Sequence, residues 1–212
     1  MVEKTMSKNE ALSKIMKEFT FMWILTGLGM ILGSFLPPVL ALCTSVLALI
    51  LLIITMFIKN KSTVNRIFYL VPFLMGVAFF YSITYYLSSL GTGLVLGVLL
   101  LTIVLFVALG FFGMVVIKKD LGFMGQFLIF ALIGLILITI VGFFFASYFL
   151  QVALAGFGVI LFCLYTLYDF NQIAKSDIEP SDTVGHALGL YLDFVNLFLY
   201  ILRLISLLKG DD

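Results

Sequence analysis

From Phe19 to Leu208 the chain is almost continuously apolar, and short polar or proline-bearing stretches divide it into seven runs. The breaks are Pro37-Pro38, "KNKSTVNR", "SSLGTG", "KKDLG", "ASYFLQ" and "AKSDIEPSDTVG". The runs cover approximately residues 19–36, 39–58, 67–88, 93–117, 123–146, 149–174 and 185–208. Each is close to the 20 or so apolar residues that cross a bilayer as a helix. Helices satisfy their own backbone polar groups in lipid, so this pattern predicts an all-α membrane protein. Every connection is short, which makes sequence neighbours antiparallel hairpins and leaves no room for a soluble domain. The expected organisation is a polar N-terminus over 1–18, one seven-helix domain over 19–208 and a short tail over 209–212. Composition agrees. Of 212 residues 63% are hydrophobic and 11% charged, against about a quarter charged in soluble domains.

Charge placement sets the expected orientation. Lys4, Lys8, Lys14 and Lys17 precede the first run, and Lys59, Lys61 and Arg66 lie between the second and third. Lys118 and Lys119 follow the fourth, and Lys175 follows the sixth. With seven spans all of these share one side, and the other side has no Lys or Arg until Lys209. The positive-inside rule then puts the N-terminus in the cytoplasm and the C-terminus outside. Removing any one span would scatter the charges over both faces. The first run ends in "GSFLPP" without a small-x-small cleavage site, so it reads as a retained span. A net charge of +1 gives no basic field that would attract nucleic acid. Cys43 and Cys163 sit in apolar runs and read as packing thiols, and one histidine excludes a multi-histidine metal site.

The exceptions inside the spans are two acids, Asp169 in "LYTLYDFNQI" and Asp193 in "LGLYLDFVNL". Both fall about 8–12 Å in from the cytoplasmic ends of their helices. The hairpin between them would set them at similar depth, near enough to hydrogen-bond. An isolated aspartate at mid-bilayer costs about 2.5–3.5 kcal/mol on insertion scales. Two together have a cheaper state, in which they share one proton and titrate as a unit. On the seventh span His186, Gly189, Asp193, Asn196, Tyr200 and Arg203 follow helical spacing, and on the sixth Gln151, Ala155, Gly158, Phe162, Tyr165 and Asp169 do the same. Such seams predict helices that face protein or water, with the seventh central. His186, Tyr165, Asn196, Tyr200 and Arg203 form a candidate polar pathway. The bland alternatives are a solvated helix-start histidine, interhelical hydrogen bonds from Asn196 and Tyr200, and an Arg203 that snorkels. The pairs Gly93/Gly97 and Gly185/Gly189 would allow close helix packing.

At "GLYLDFVNLFLYILRLI", preceded by "LYTLYDFNQI", the sequence resembles the Bax inhibitor family, above all bacterial members that leak calcium in a pH-dependent way. "KKDLGFMGQFLIFALIGLIL" is similar to the family too. The resemblance covers essentially the whole chain. It implies a seven-helix bundle whose last helix is surrounded by the other six. It also implies that Asp169 and Asp193 form a pH-sensing pair, closed when they share a proton and loosened when charged. Lys59 matches where bacterial relatives place an arginine that latches onto the sixth-helix aspartate, although lysine is a point charge and not a planar fork. Those relatives also carry a glutamate in the second span, where this chain has Ala48 and no acid.

The expected function is a pH-sensitive calcium leak in a bacterial plasma membrane, by a monomer whose partners are lipid, calcium and protons, with no tightly bound cofactor. Two carboxylates suit weak, transient calcium binding, because calcium prefers six to eight oxygens and a conducted ion must also leave. An intramembrane aspartyl protease also places two aspartates on adjacent spans, and Tyr168-Asp169 fits that class. "GLYLD" lacks its glycine-x-glycine-aspartate, however, and no proline-alanine-leucine triplet occurs. A proton-coupled transporter would show an interrupted helix pair as an internal repeat, and none stands out. A regulatory scaffold has no feature here that names a partner.

Overall fold

A computed structural model describes residues 6–145 and 147–210; Lys4 and the two aspartates of the tail lie outside the described residues. Among the described residues, seven helices are long and apolar enough to span a membrane. They are α1 (Lys8–Gly33), α2 (Pro38–Thr55), α3 (Lys61–Leu90), α4 (Thr92–Phe111), α5 (Met124–Phe145), α6 (Tyr148–Lys175) and α7 (Thr183–Lys209). A π-helical turn, Phe112–Val116, extends α4. No strand occurs among the described residues. The protein is an all-α, multi-pass membrane protein.

The helices fall into two compact units. The first contains α1, α2, α3 and the beginning of α7 up to Tyr191; the second contains α4, α5, α6 and α7 from Leu192 onward.

In the first unit, α1 begins well before the apolar run that announced it. Ser7 caps the helix by accepting from the Glu10 N–H at 3.4 Å, the serine half of an S-x-x-E capping box. Ala11, Ile15, Met22, Thr26, Gly29 and Gly33 are buried along one stripe. That stripe meets α3 at backbone distance. A Cβ on Gly29 would fall on the Phe73 carbonyl, and one on Gly76 would fall on the Thr26 backbone. Between them the Thr26 hydroxyl bonds the Met22 carbonyl at 2.9 Å and lies 2.7 Å from the hydroxyl of the fully buried Tyr191. The expected turn at Pro37-Pro38 is present, with Pro38 opening α2 and the Tyr81 hydroxyl donating to the Leu36 carbonyl before it. The loop that precedes α7 is tied to α1 and α3. Lys61 pairs with Glu179 at 2.9 Å and Asp182 at 2.8 Å, Lys14 donates to the Pro180 carbonyl, and Asn65 donates to that of Ser181.

In the second unit, α4 starts after Gly91, whose φ of 85° favours glycine. Ser147 caps α6. Lipid-facing surface is plain on α5, where Phe127, Phe130, Leu137 and Ile140 are all exposed. In the most apolar windows of α2 and α5 only 11% of residues are buried, against 56% in α7. The seventh helix thus has the most deeply packed window.

Two packing expectations fail. Gly93 and Gly97 have nothing within 4 Å of where a Cβ would stand, so they hold no helix close among the described residues. Cys43 is exposed on α2 and not packed inside, whereas Cys163 is half-buried.

Candidate functional site

Two Asp-Phe dipeptides, one on α6 and one on α7, build the site. Phe170 and Phe194 both converge on Phe106 of α4, edge-to-face at 5.2 Å and 5.3 Å between ring centroids. Gly110, one turn further along α4, gives Phe170 room, because a Cβ there would meet its ring at 2.9 Å. Successive helical residues are about 100° apart. Pinning each phenylalanine onto α4 therefore turns the aspartate before it to another side. Asp169 and Asp193 become electrostatic neighbours, with Asp169 near enough for its charge to act on Asp193. Tyr165, one turn before Asp169, lies within electrostatic reach of both.

Asp193 is 3% exposed, and no protein group among the described residues donates a hydrogen bond to its Oδ2. Asp169 is half-buried. A buried carboxylate oxygen without a donor is costly. A proton or a cation removes that cost.

The end of α6 is fixed by a residue that the sequence reading passed over. Asn171 is fully buried. Its Nδ2 donates to the carbonyls of Gly113 at 3.0 Å, Ile117 at 3.3 Å and Lys119 at 3.1 Å, and its Oδ1 accepts from the Leu121 N–H at 2.9 Å. It thereby satisfies the backbone where α4 passes through its π turn and ends. Gly113 in that turn is pressed against α6, since a Cβ there would fall on the Leu167 carbonyl. The signal was an asparagine within an apolar helix, two positions after Asp169 in "YDFNQI". Just outside the membrane span, Asp120 accepts from Gln172 at 2.8 Å and from the Gly122 N–H at 2.7 Å. These two bonds, the Gln172 one foremost, hold its carboxyl below the usual carboxylate range.

The remaining candidates separate. Tyr165 joins the pair. Asn196 donates to the Leu192 carbonyl of its own helix at 2.8 Å, not across to a neighbour as expected. Tyr200 meets α6 through its ring, which stacks on Phe162 at 5.6 Å. Arg203 is half-buried near the end of α7, and Lys59 is exposed after α2. His186 is half-buried and belongs to the first unit, whereas the acid pair belongs to the second. Of the α7 seam only Asp193 is fully buried; the deepest positions of that helix are mainly apolar, including Leu190, Leu197 and Leu202. The seam is a half-buried edge and not the innermost face. Among the described residues no group of three or more His, Cys, Asp or Glu could hold a metal ion, which leaves two carboxylates as the acidic donors here.

The fold and site define a class: a seven-span helical membrane protein with an acid pair on its last two helices. The chain belongs to the Bax inhibitor family, because the profile described as inhibitor of apoptosis-promoting Bax1 matches residues 8–210. An uncharacterized protein of Helicobacter pylori is 33% identical over 159 residues, 74% of this chain and 67% of the relative. Bax inhibitor 1 of Schizosaccharomyces pombe is 40% identical over 96 residues, 45% of this chain and 36% of the relative. Inner membrane protein YbhL of Escherichia coli is 40% identical over 96 residues, 41% of each chain.

Proposed function

We propose that this protein is a pH-sensitive cation leak, with calcium as the conducted ion, gated by Asp169 and Asp193. The observation that carries this reading is the buried Oδ2 of Asp193, which has no hydrogen-bond donor among the described residues and lies within electrostatic range of a second carboxylate. A single proton held between the two acids satisfies that oxygen and keeps the helices together. As pH rises the proton leaves, and two like charges at short range in a poorly solvated site repel. That repulsion loosens α6 from α7 and admits water. A calcium ion entering there meets two carboxylates, fewer oxygens than a tight site supplies, so it is attracted and then released. We place the protein in a bacterial plasma membrane, a reading supported by the inner-membrane relative, with its N-terminus inside as the lysine distribution predicts.

Calcium uptake into proteoliposomes across a pH series tests this. The parent flux is expected to rise with pH, and Asp169→Asn and Asp193→Asn are each expected to flatten the profile. Profiles in both variants that match the parent would end the proposal.

A further inference from the structure

An ordered aromatic stack lies beyond the acid pair, and the gating scheme above makes no use of it. Phe162 is 5% exposed. Tyr165 stacks with it at 5.8 Å between centroids and 28° between planes, and Tyr200 does so at 5.6 Å and 23°. Two rings come from α6 and one from α7, so the stack bridges the same two helices that carry the acids. Tyr200 lies so close over α6 that a Cβ on Gly158 would collide with its ring. Glycine at 158 is therefore the seat of that ring. Phe162 is seven residues before Asp169 and Tyr200 is seven after Asp193. Each is therefore about 10 Å along its helix from the acids, away from the α6–α7 loop. Tyr165 falls in the interval and lies within electrostatic range of both carboxylates.

We propose that Tyr165, Phe162 and Tyr200, seated on Gly158, form a dry aromatic seal that stops ions at the acid pair from passing further along the α6–α7 seam. The inference rests on the leak reading and adds the barrier that reading lacks. A hydrated cation at the carboxylates exchanges some water for oxygen ligands. The next step presents ring faces, two neutral phenol hydroxyls and no carboxylate, so the ion would shed water with poorer replacement than at the acids. Loosening α6 from α7 at the acids separates the two sides of the stack, because Phe162 and Tyr200 are on opposite helices. Charge at the pair and opening of the seal are then one movement.

The test is calcium flux through the full-length protein in proteoliposomes at the acidic end of the pH series, where the parent is tightest. Phe162→Ala and Tyr200→Ala are each expected to raise this resting flux roughly tenfold, as expected when a dewetted constriction is hydrated. Tyr200→Phe keeps the ring and is expected to match the parent. Gly158→Ala deletes no ring but unseats Tyr200, and is expected to raise resting flux as well; it carries the test should the ring deletions fail to fold. Retention of a trapped large dye excludes general membrane damage. Parent-level resting flux in folded Phe162→Ala, Tyr200→Ala and Gly158→Ala would overturn the seal, as would a fall in flux, which would make the rings part of a conducting surface. If the Asn variants flatten the pH profile while the ring variants leave resting flux unchanged, the seal alone fails. If the parent profile is already flat and matches the Asn variants, the gating reading fails.

Discussion

Asn171 commits its side-chain amide to a single stretch of backbone, from Gly113 in the π turn to Leu121 in the following loop. Replacing it with leucine leaves buried donors and acceptors of that stretch unpaired, and each such group costs about 1–3 kcal/mol. Asn171→Leu is therefore expected to lower the thermal unfolding midpoint in detergent well below that of the parent. A midpoint within error of the parent would show that the loop finds other partners. The two Asp-Phe dipeptides work on a similar logic, since each phenylalanine is fixed against Phe106 and the aspartate before it takes the remaining direction. Asp169 and Asp193 were visible in the sequence because an acid inside an apolar helix is conspicuous. The part played by Phe106 was not, because one phenylalanine among 23 carries no mark of which neighbours it will meet.

At the scale of helices, the glycines divide by what faces them. Gly76 is closed in by the Thr26 backbone, while Gly93 faces open space. Gly76→Ala is expected to destabilise by about 1–3 kcal/mol, the usual cost of forcing atoms into a packed interface. Gly93→Ala is expected to leave stability unchanged or slightly raised, because alanine is the better helix former. Melting curves of the two variants would check this, and equal effects would contradict the packing described. The loop between α4 and α5 supplies a pH-dependent case. Asp120 is held below its ordinary value, so the stability it contributes is present above the unfolded value and is lost as pH falls through the lower folded value. Gln172→Ala is therefore expected to melt below the parent at neutral pH, with the gap shrinking in acid. A gap that is constant with pH would contradict this. Helix number and the Pro37-Pro38 turn were legible because apolar length and proline act locally. The start of α1 was not, because residues 8–18 are polar by composition and helical by virtue of Ser7, Glu10 and the buried Ala11 and Ile15. The π turn left no local mark, since it depends on contact with Leu167 and Asn171. Gly93 and Gly97 misled for the complementary reason: their spacing is that of a packing motif, and only the fold shows what stands opposite.

For the whole molecule, seven spans and one-sided lysines predict a single topology. In a background lacking Cys43 and Cys163, Ser62→Cys and Ser176→Cys are expected to react with an impermeant thiol reagent only from the cytoplasmic side. Ser89→Cys and Ser147→Cys are expected to react only from outside. Labelling of both pairs from the same side would contradict the orientation. The proposed gating adds a requirement to the topology, namely that the acid pair of the second unit holds one proton in the tight state. Infrared spectroscopy of the protonated carboxyl stretch in proteoliposomes across pH measures that most directly. The account predicts one protonated aspartate per molecule at low pH, lost over the same range in which calcium flux rises, with that titration changed in both Asp169→Asn and Asp193→Asn. A pair fully ionised throughout that range, or a titration untouched by either substitution, would contradict it.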